Sequence, residues 1–318
     1  MGEKITTKYL LDLVSRSFAL AIPLLDKNKK IKVEVQYLLA RIIDTIEDSM
    51  HEVKDKETLI TGFINILKTG DTKNLENFKK VVISKTINEN DKVLIENIGV
   101  VLKSFFNFPI EIKNMSISYL KEMGYGMIYY QDHAISNFDD LTDYCYYVAG
   151  TVGIYLTELT RLSDGLNLDR EKAKKLGIFL QKINIIKDAK TDYKEKRIFW
   201  PSSLFDNENP APYFEDIAYM DKSLEVLDKM IESATNEFKP SIEYIMSIEK
   251  KAQGYRRFCL LSVMMGCETL KLMKNNYDLF TGKVLKIPKK TALDILSKVK
   301  SDFYTNKKLE DILSNYNK

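Results

Sequence analysis

Apolar residues recur every third or fourth position through most of the chain, and strict alternation is nearly absent, so the periodicity predicts helices rather than strands. A first helix is expected over about 6–21, ending before Pro23. A second, over about 33–50, carries Tyr37, Leu38, Ile42 and Ile46 on an apolar face, with Arg41, Asp44 and Asp48 on the adjoining one. Two or three lysine-rich helices follow between Glu57 and Phe108, where the proline of NFPIE interrupts them. Lys113 to His133 reads as helical. Asn137 and Asp139 look like caps for a long helix through Thr160, and another helix covers about 170–193.

DNENPAPYF, 206–214, is the clearest loop. Two long helices are then expected, about 214–239 and 241–276, with Pro240 as the break or kink between them. After Pro288 comes a short polar tail with one or two small helices. With no βαβ rhythm, no repeat and no long linker, the expectation is one all-α domain over 1–318.

Composition narrows the function classes. The 318 residues carry 48 Lys and Arg against 45 Asp and Glu, a net charge of +3 that is too balanced to argue for nucleic acid. Cys145, Cys259 and Cys267 show no paired metal spacing, and an odd count suits a reducing compartment better than a disulfide framework. With His51 and His133 as its two histidines, the chain is poorly equipped for a zinc site or a histidine-based triad. MGEKITTKYL lacks the apolar core of a signal peptide, and its fit to a myristoylation motif is weak. No apolar run approaches the roughly 20 residues that span a bilayer. A soluble, cytoplasmic protein is expected, with peripheral membrane contact open as a way to collect a greasy substrate, and either a monomer or a homodimer.

Candidate chemistry sits in two acidic turns. FLQKINIIKDAKTDYKEKRIFWP, starting at Phe179, holds Asp188 and Asp192 four residues apart, on one helical face. RIIDTIEDS repeats the spacing with Asp44 and Asp48, and Glu47 lies between them. Two carboxylate clusters repel a diphosphate, but they hold hard divalent cations that bridge to its oxygens. Arg41 and Lys187, beside the two turns, are placed to meet phosphate directly. A diphosphate that ionises leaves a carbocation, which aromatic faces stabilise. YCYYVAGTVG, from Tyr144, supplies tyrosines followed by Gly150 and Gly153, small residues able to keep a channel open for an isoprenoid tail. Each feature also has an ordinary explanation: a solvated acidic face, a tyrosine core, an exposed lysine run at Lys286, Lys289 and Lys290.

These residues, taken in order, resemble the squalene/phytoene synthase family, and within it the squalene synthase branch. The likeness covers most of the chain through SRSFALAI (from Ser15), YLLARIIDTIEDS (from Tyr37), MGYGM with YCYYVAGTVG, FLQKINIIKDAKTD with RIFWP, and RRFCLLSVMMGCETL (from Arg256). FLQK, IFWP and the run from Phe280 to Ile287 favour the squalene branch over the carotenoid one. The resemblance implies an isoprenoid synthase fold, a helical bundle around a central hydrophobic cavity with two facing aspartate motifs. It makes Asp44, Glu47, Asp48, Asp188 and Asp192 the Mg²⁺ ligands. Ser15, Arg16, Tyr37, Arg41, Lys187 and Arg197 would contact diphosphate, and Val148, Gln181 and Asn184 would line the substrate cavity. Tyr144 would assist a proton transfer, Phe18 and Phe258 would stabilise cations or line the tail pocket, and Lys286 and Lys289 would bind NADPH.

The implied reaction condenses two farnesyl diphosphates head to head, through presqualene diphosphate, to squalene, with hydride from NADPH. Several departures weaken the reductive half. Thr191 and Lys187 stand where relatives carry Glu and Arg, and lysine lacks the guanidinium fork. Ser262 and Val263 replace Pro-Gln, Pro288 takes a usual arginine position, and no counterpart of the eukaryotic C-terminal membrane helix is present. A dehydrosqualene or phytoene synthase without NADPH, a terpene cyclase and a non-catalytic helical scaffold remain the alternatives.

Overall fold

The computed structural model describes residues 5–15, 17–301 and 305–316, and among these no strand occurs. Contacts divide the chain into two compact units: Met1–Asp132 with Glu158–Gly165, and His133–Thr157 with Leu166–Lys318.

The first unit holds α1 (Thr7–Val14), α2 (Ser17–Ala21), α3 (Lys27–Glu47), α4 (Val53–Thr69), α5 (Leu75–Lys85), α6 (Glu89–Glu96), α7 (Ile98–Phe106) and α8 (Ile110–Asp132). On α3 the fully buried Val35, Leu38, Leu39, Ile42, Ile43 and Ile46 fall at helical spacing and form the stripe that packs on α7 and α8. Gly124 of α8 lies so close to α4 that an added Cβ would stand 2.7 Å from Ile60 Cγ2, so α8 nests between α3 and α4. Lys29 is buried at the start of α3 and pairs with Asp164, which compensates the cost of burying its charge.

The expected single helix over 6–21 is broken at Ser15. Its backbone is extended, and its Oγ accepts from Phe18 N at 3.1 Å, the arrangement of an N-cap, so a new helix starts there. Four helices, rather than two or three, fill the lysine-rich stretch, and α3 begins six residues earlier than its periodicity predicts.

The second unit is organised around α11 (Arg170–Lys194), which is capped by Asp169 accepting from Glu171 N and Lys172 N. Around it pack α9 (Phe138–Cys145), a π-turn at Tyr146–Gly150, α13 (Met220–Thr235), α14 (Phe238–Ser247), α15 (Gln253–Met273) and α16 (Asp278–Thr281). The remaining helices are α10 (Thr151–Asp164), whose last turns belong to the first unit, α12 (Ala211–Glu215), α17 (Lys289–Lys300) and α18 (Asn306–Tyr316). Asn137 caps α9 in a reciprocal box with Asp140, as its position predicts, and the expected helix runs on past Thr160 to Asp164, with one π-turn inside it. Pro240 marks the start of a helix rather than a point between two. It occupies the third position of α14, where a missing N–H leaves no intrahelical bond unmade; the expected break falls just before it, at Asn236–Glu237, and a second break, at Ile248–Glu249, precedes α15.

Gly150 and Gly153 serve a different purpose from the open channel their size suggested. A Cβ on Gly153 would stand 2.2 Å from the Ala173 carbonyl oxygen, and one on Gly177 would stand 2.1 Å from that of Ala149. Gly153 and Gly177 let α10, the π-turn and α11 touch backbone to backbone, and the space beside Gly150 is taken by the Tyr146 and Lys174 side chains. Small residues mark close helix approach as readily as a cavity, and the sequence does not distinguish the two.

Candidate active site

Each unit carries one aspartate turn, near the C-terminal end of a long helix. Carboxylates are disfavoured there by the helix dipole, a local conflict of the kind found at functional sites.

In the first unit, Asp44, Glu47 and Asp48 occupy the end of α3, and Asp48 N donates to Asp44 O at 2.8 Å to close the last turn. One carboxylate oxygen from each lies within 4.8 Å of the others. That oxygen-only donor set is what a hard divalent cation prefers, so these residues fit Mg²⁺. Glu47 is buried and accepts from Gln131 Nε2, while Lys56 Nζ, also buried, donates to Gln131 Oε1 at 3.0 Å. Because an ammonium only donates, Lys56 fixes which way the amide faces and presents the NH₂ to Glu47.

Arg41 sits one turn below Asp44. Its Nε and Nη2 bond Asp91 Oδ1 and Oδ2 at 2.9 and 2.7 Å, and its Nη1 bonds Asp44. Burial works to lower the Arg41 pKa, but Asp44 and Asp91 outweigh it and push it up, so the guanidinium stays charged. Tyr37 stacks on Phe18 with ring centroids 4.8 Å apart. Burial raises its pKa against the opposing bond from Ser15, so its phenol stays neutral. Ser15, Phe18, Tyr37, Arg41 and the three acids are thus brought together in this unit. Arg16 lies outside the described residues.

In the second unit the turn is more open. Lys187 Nζ lies 3.1 Å from Asp188 and bonds Asn184 Oδ1 at 3.3 Å. Arg197 stands 3.7 Å from Asp192, pairs with Glu195 at 2.6 Å, and donates its backbone N–H to Asp192 O at 2.8 Å. Gln181 is half-buried one turn below Asn184, and Val148 is half-buried in the π-turn. Tyr144 is buried and stacks on Phe199, centroids 4.7 Å apart and rings within 18° of parallel, while the Arg197 guanidinium lies 5.9 Å over that same Phe199 ring. A cleft here is lined by Ala189, Asp192, Arg197, Phe199, Trp200 and Phe214. Trp200 holds it in place by donating Nε1–H to Ile185 O at 3.3 Å.

Phe258 is buried on α15 and stacks on Tyr255 at 6.4 Å. Lys286 and Lys289 are exposed, on the segment entering α17 and its first turn. They offer a phosphate charge but no enclosing fork.

Sequence reasoning missed Asp91, Gln131, Lys56 and the role of Phe199. The Asn88 cap announces α6 and so the place of Asp91, but nothing local announces a partner 50 residues away. Phe199 stands in the noted RIFWP block, and its stacking partner was not legible.

An all-α chain with an aspartate turn near the end of each of two long helices has the isoprenoid synthase fold. Comparison makes this specific: the chain belongs to the squalene/phytoene synthase family, whose model matches residues 11–291. It is 33% identical over 303 residues to the squalene synthase of Schizosaccharomyces pombe, covering 90% of this chain and 63% of that protein, and so spans less than two thirds of that relative. With the squalene synthase of Homo sapiens it shares 30% over 295 residues, 91% of this chain and 67% of that one. Among solved structures, TcSQS with the ligand BPH1237 superposes with a TM-score of 0.81 at 26% identity, over 92% of this chain and 85% of that one. A dehydrosqualene synthase at 22% identity and TM-score 0.62 shares the fold, over 93% of this chain and 95% of its own.

Proposed function

We propose that the protein condenses two farnesyl diphosphates head to head, through presqualene diphosphate, and reduces the product to squalene. The convergence of Asp44, Glu47 and Asp48 oxygens within 4.8 Å supports this reading most directly, beside relatives that bear the squalene synthase name over nine tenths of the chain. Asp44, Glu47 and Asp48 would hold Mg²⁺ at the first turn, and Asp188 and Asp192 at the second. Bound there, Mg²⁺ supplies positive charge to the departing diphosphate.

The chain's own groups account for the remainder. Arg41, Tyr37 and Ser15 line the first turn, and Lys187 and Arg197 the second, where they bind and orient phosphate oxygens. Loss of diphosphate from one substrate leaves an allylic cation that the double bond of the other attacks, and loss of a proton closes the cyclopropane. Tyr144, held by its stack on Phe199, assists that proton transfer. The faces of Phe18 and Phe258 would each favour positive charge. Lys286 and Lys289 would attract the phosphate of NADPH, the hydride donor of the reductive half. The whole chain works as one catalytic domain in this reading.

Product analysis with farnesyl diphosphate and Mg²⁺, with and without NADPH, tests the proposal. Squalene formed only with NADPH is the expected result. Dehydrosqualene under both conditions would keep the site residues and remove the reductive half, a second reading favoured by the exposed, forkless lysine pair. Absence of any product from farnesyl diphosphate would overturn the substrate assignment.

A further inference from the structure

Seven lysines lie on α11, and five of them, Lys172, Lys174, Lys175, Lys182 and Lys187, each pair with a carboxylate. Lys190 and Lys194 are the exceptions: among the described residues neither has a carboxylate partner. They stand four residues apart, on one face of the last turns. Lys190 is half-buried. Its Nζ donates to the Phe214 carbonyl and lies 5.4 Å over the Tyr193 ring, which itself stacks on Phe214 at 4.8 Å. The charge of Glu215 acts on Lys190, but Glu215 accepts from the Tyr193 hydroxyl at 2.6 Å and pairs with neither lysine. Burial, and then the neighbouring Lys194 charge, lower the Lys190 pKa. Gly282 completes the place. It ends α16 at a φ of +85°, and a Cβ there would stand 3.1 Å from Lys194 Nζ and 3.6 Å from Lys190 Cγ, so both side chains run against bare main chain.

We propose that Lys190 and Lys194, beside Gly282, bind the 2′-phosphate of NADPH. The assignment rests on the reading that NADPH supplies the hydride. Two ammoniums held close together without a counter-charge are best matched by one group that carries two negative charges. A phosphate monoester carries about −1.5 to −2 at pH 7, whereas each phosphate of the linkage between the two nucleotides is a diester with a single ionisable oxygen. The lysines also have donors to give. An ammonium has three N–H groups, and Lys190 spends one on the Phe214 carbonyl. Lys286 follows Gly282 by four residues, so it lies within about 14 Å of it even along a fully extended chain. The start of this segment meets the monoester, and Lys286 and Lys289 further along meet the linkage.

Calorimetric titration of the full chain with NADPH, and with NADH, which lacks that phosphate, tests the site by binding rather than turnover. Lys194→Gln and Lys190→Gln, the latter keeping a donor for the Phe214 carbonyl, should each weaken NADPH by about ten-fold and change NADH by less than about two-fold. Lys194→Arg, which keeps the charge, should bind NADPH much as wild type does. Lys196→Gln removes an exposed charge two residues past the end of α11 and should leave both nucleotides unchanged. Equal losses for NADPH and NADH would move the pair to the linkage and overturn the assignment to the 2′-phosphate. A loss of the same size in Lys196→Gln would reduce the effect to overall charge and overturn it too. Wild-type NADPH affinity in both glutamine variants overturns the site while the reductive reading stands. Wild-type protein that binds no NADPH overturns both.

Discussion

The two aspartate turns are alike in sequence and unlike in support. Asp44, Glu47 and Asp48 close α3 and are tied to residues far along the chain: Arg41 to Asp91, 50 positions away, and Glu47 to Gln131, 84 positions away. Asp188 and Asp192 are tied to neighbours, Lys187 one residue away and Arg197 five. The Asp188 side chain is 49% exposed, while Glu47 is buried. A turn held by distant, buried partners is preorganised before any ligand arrives, and its ligands need not pay ordering entropy on binding. A turn held by partly exposed neighbours close in the chain adjusts to the ligand, and its ion pairs contribute little to stability. The same motif therefore appears once as a rigid seat and once as an adaptable one.

The largest effects should come from removing either turn. Asp48→Ala and Asp188→Ala are each expected to reduce turnover of farnesyl diphosphate by roughly 10³-fold with the helical circular-dichroism signal intact. Wild-type turnover in either variant would remove that turn from catalysis and end the comparison.

Stability separates the two seats next. Gln131→Leu, which breaks the bridge between Glu47 and Lys56, should cost about 2 kcal/mol in denaturant unfolding, whereas Lys187→Ala should shift it by less than about 0.5 kcal/mol. Equal changes would mean that the second turn is braced as firmly as the first.

The smallest expected change is a gain. Lys187→Arg installs a fork beside the adaptable turn and should tighten Mg²⁺-dependent pyrophosphate binding by about three-fold, read by calorimetry. A weaker complex would mean that Lys187 is needed as a compact point charge, or that its bond to Asn184 matters more than its reach to phosphate.

Much of the site was legible before the fold was known. The i, i+4 spacing of Asp44 with Asp48 and of Asp188 with Asp192 follows from helix geometry, and the neighbouring Arg41 and Lys187 belong to the same local pattern. What failed were inferences from residue size and from single punctuating residues. Gly153 looked like room for a ligand and is a helix contact, and Pro240 looked like the break itself but sits in the first turn after it. Ser15 gave no warning that it would cap α2 and so divide the first helix.

The sequence alone determined the all-α class, the order of the main helices and the two carboxylate turns, because each depends on spacings within about one helical turn. The tertiary structure decided which edge of Arg41 is already taken, which amide orients Glu47 and which ring supports Tyr144. Those pairings join residues dozens of positions apart, and they form because burying a charge or a phenol requires a partner close at hand, wherever in the chain that partner lies.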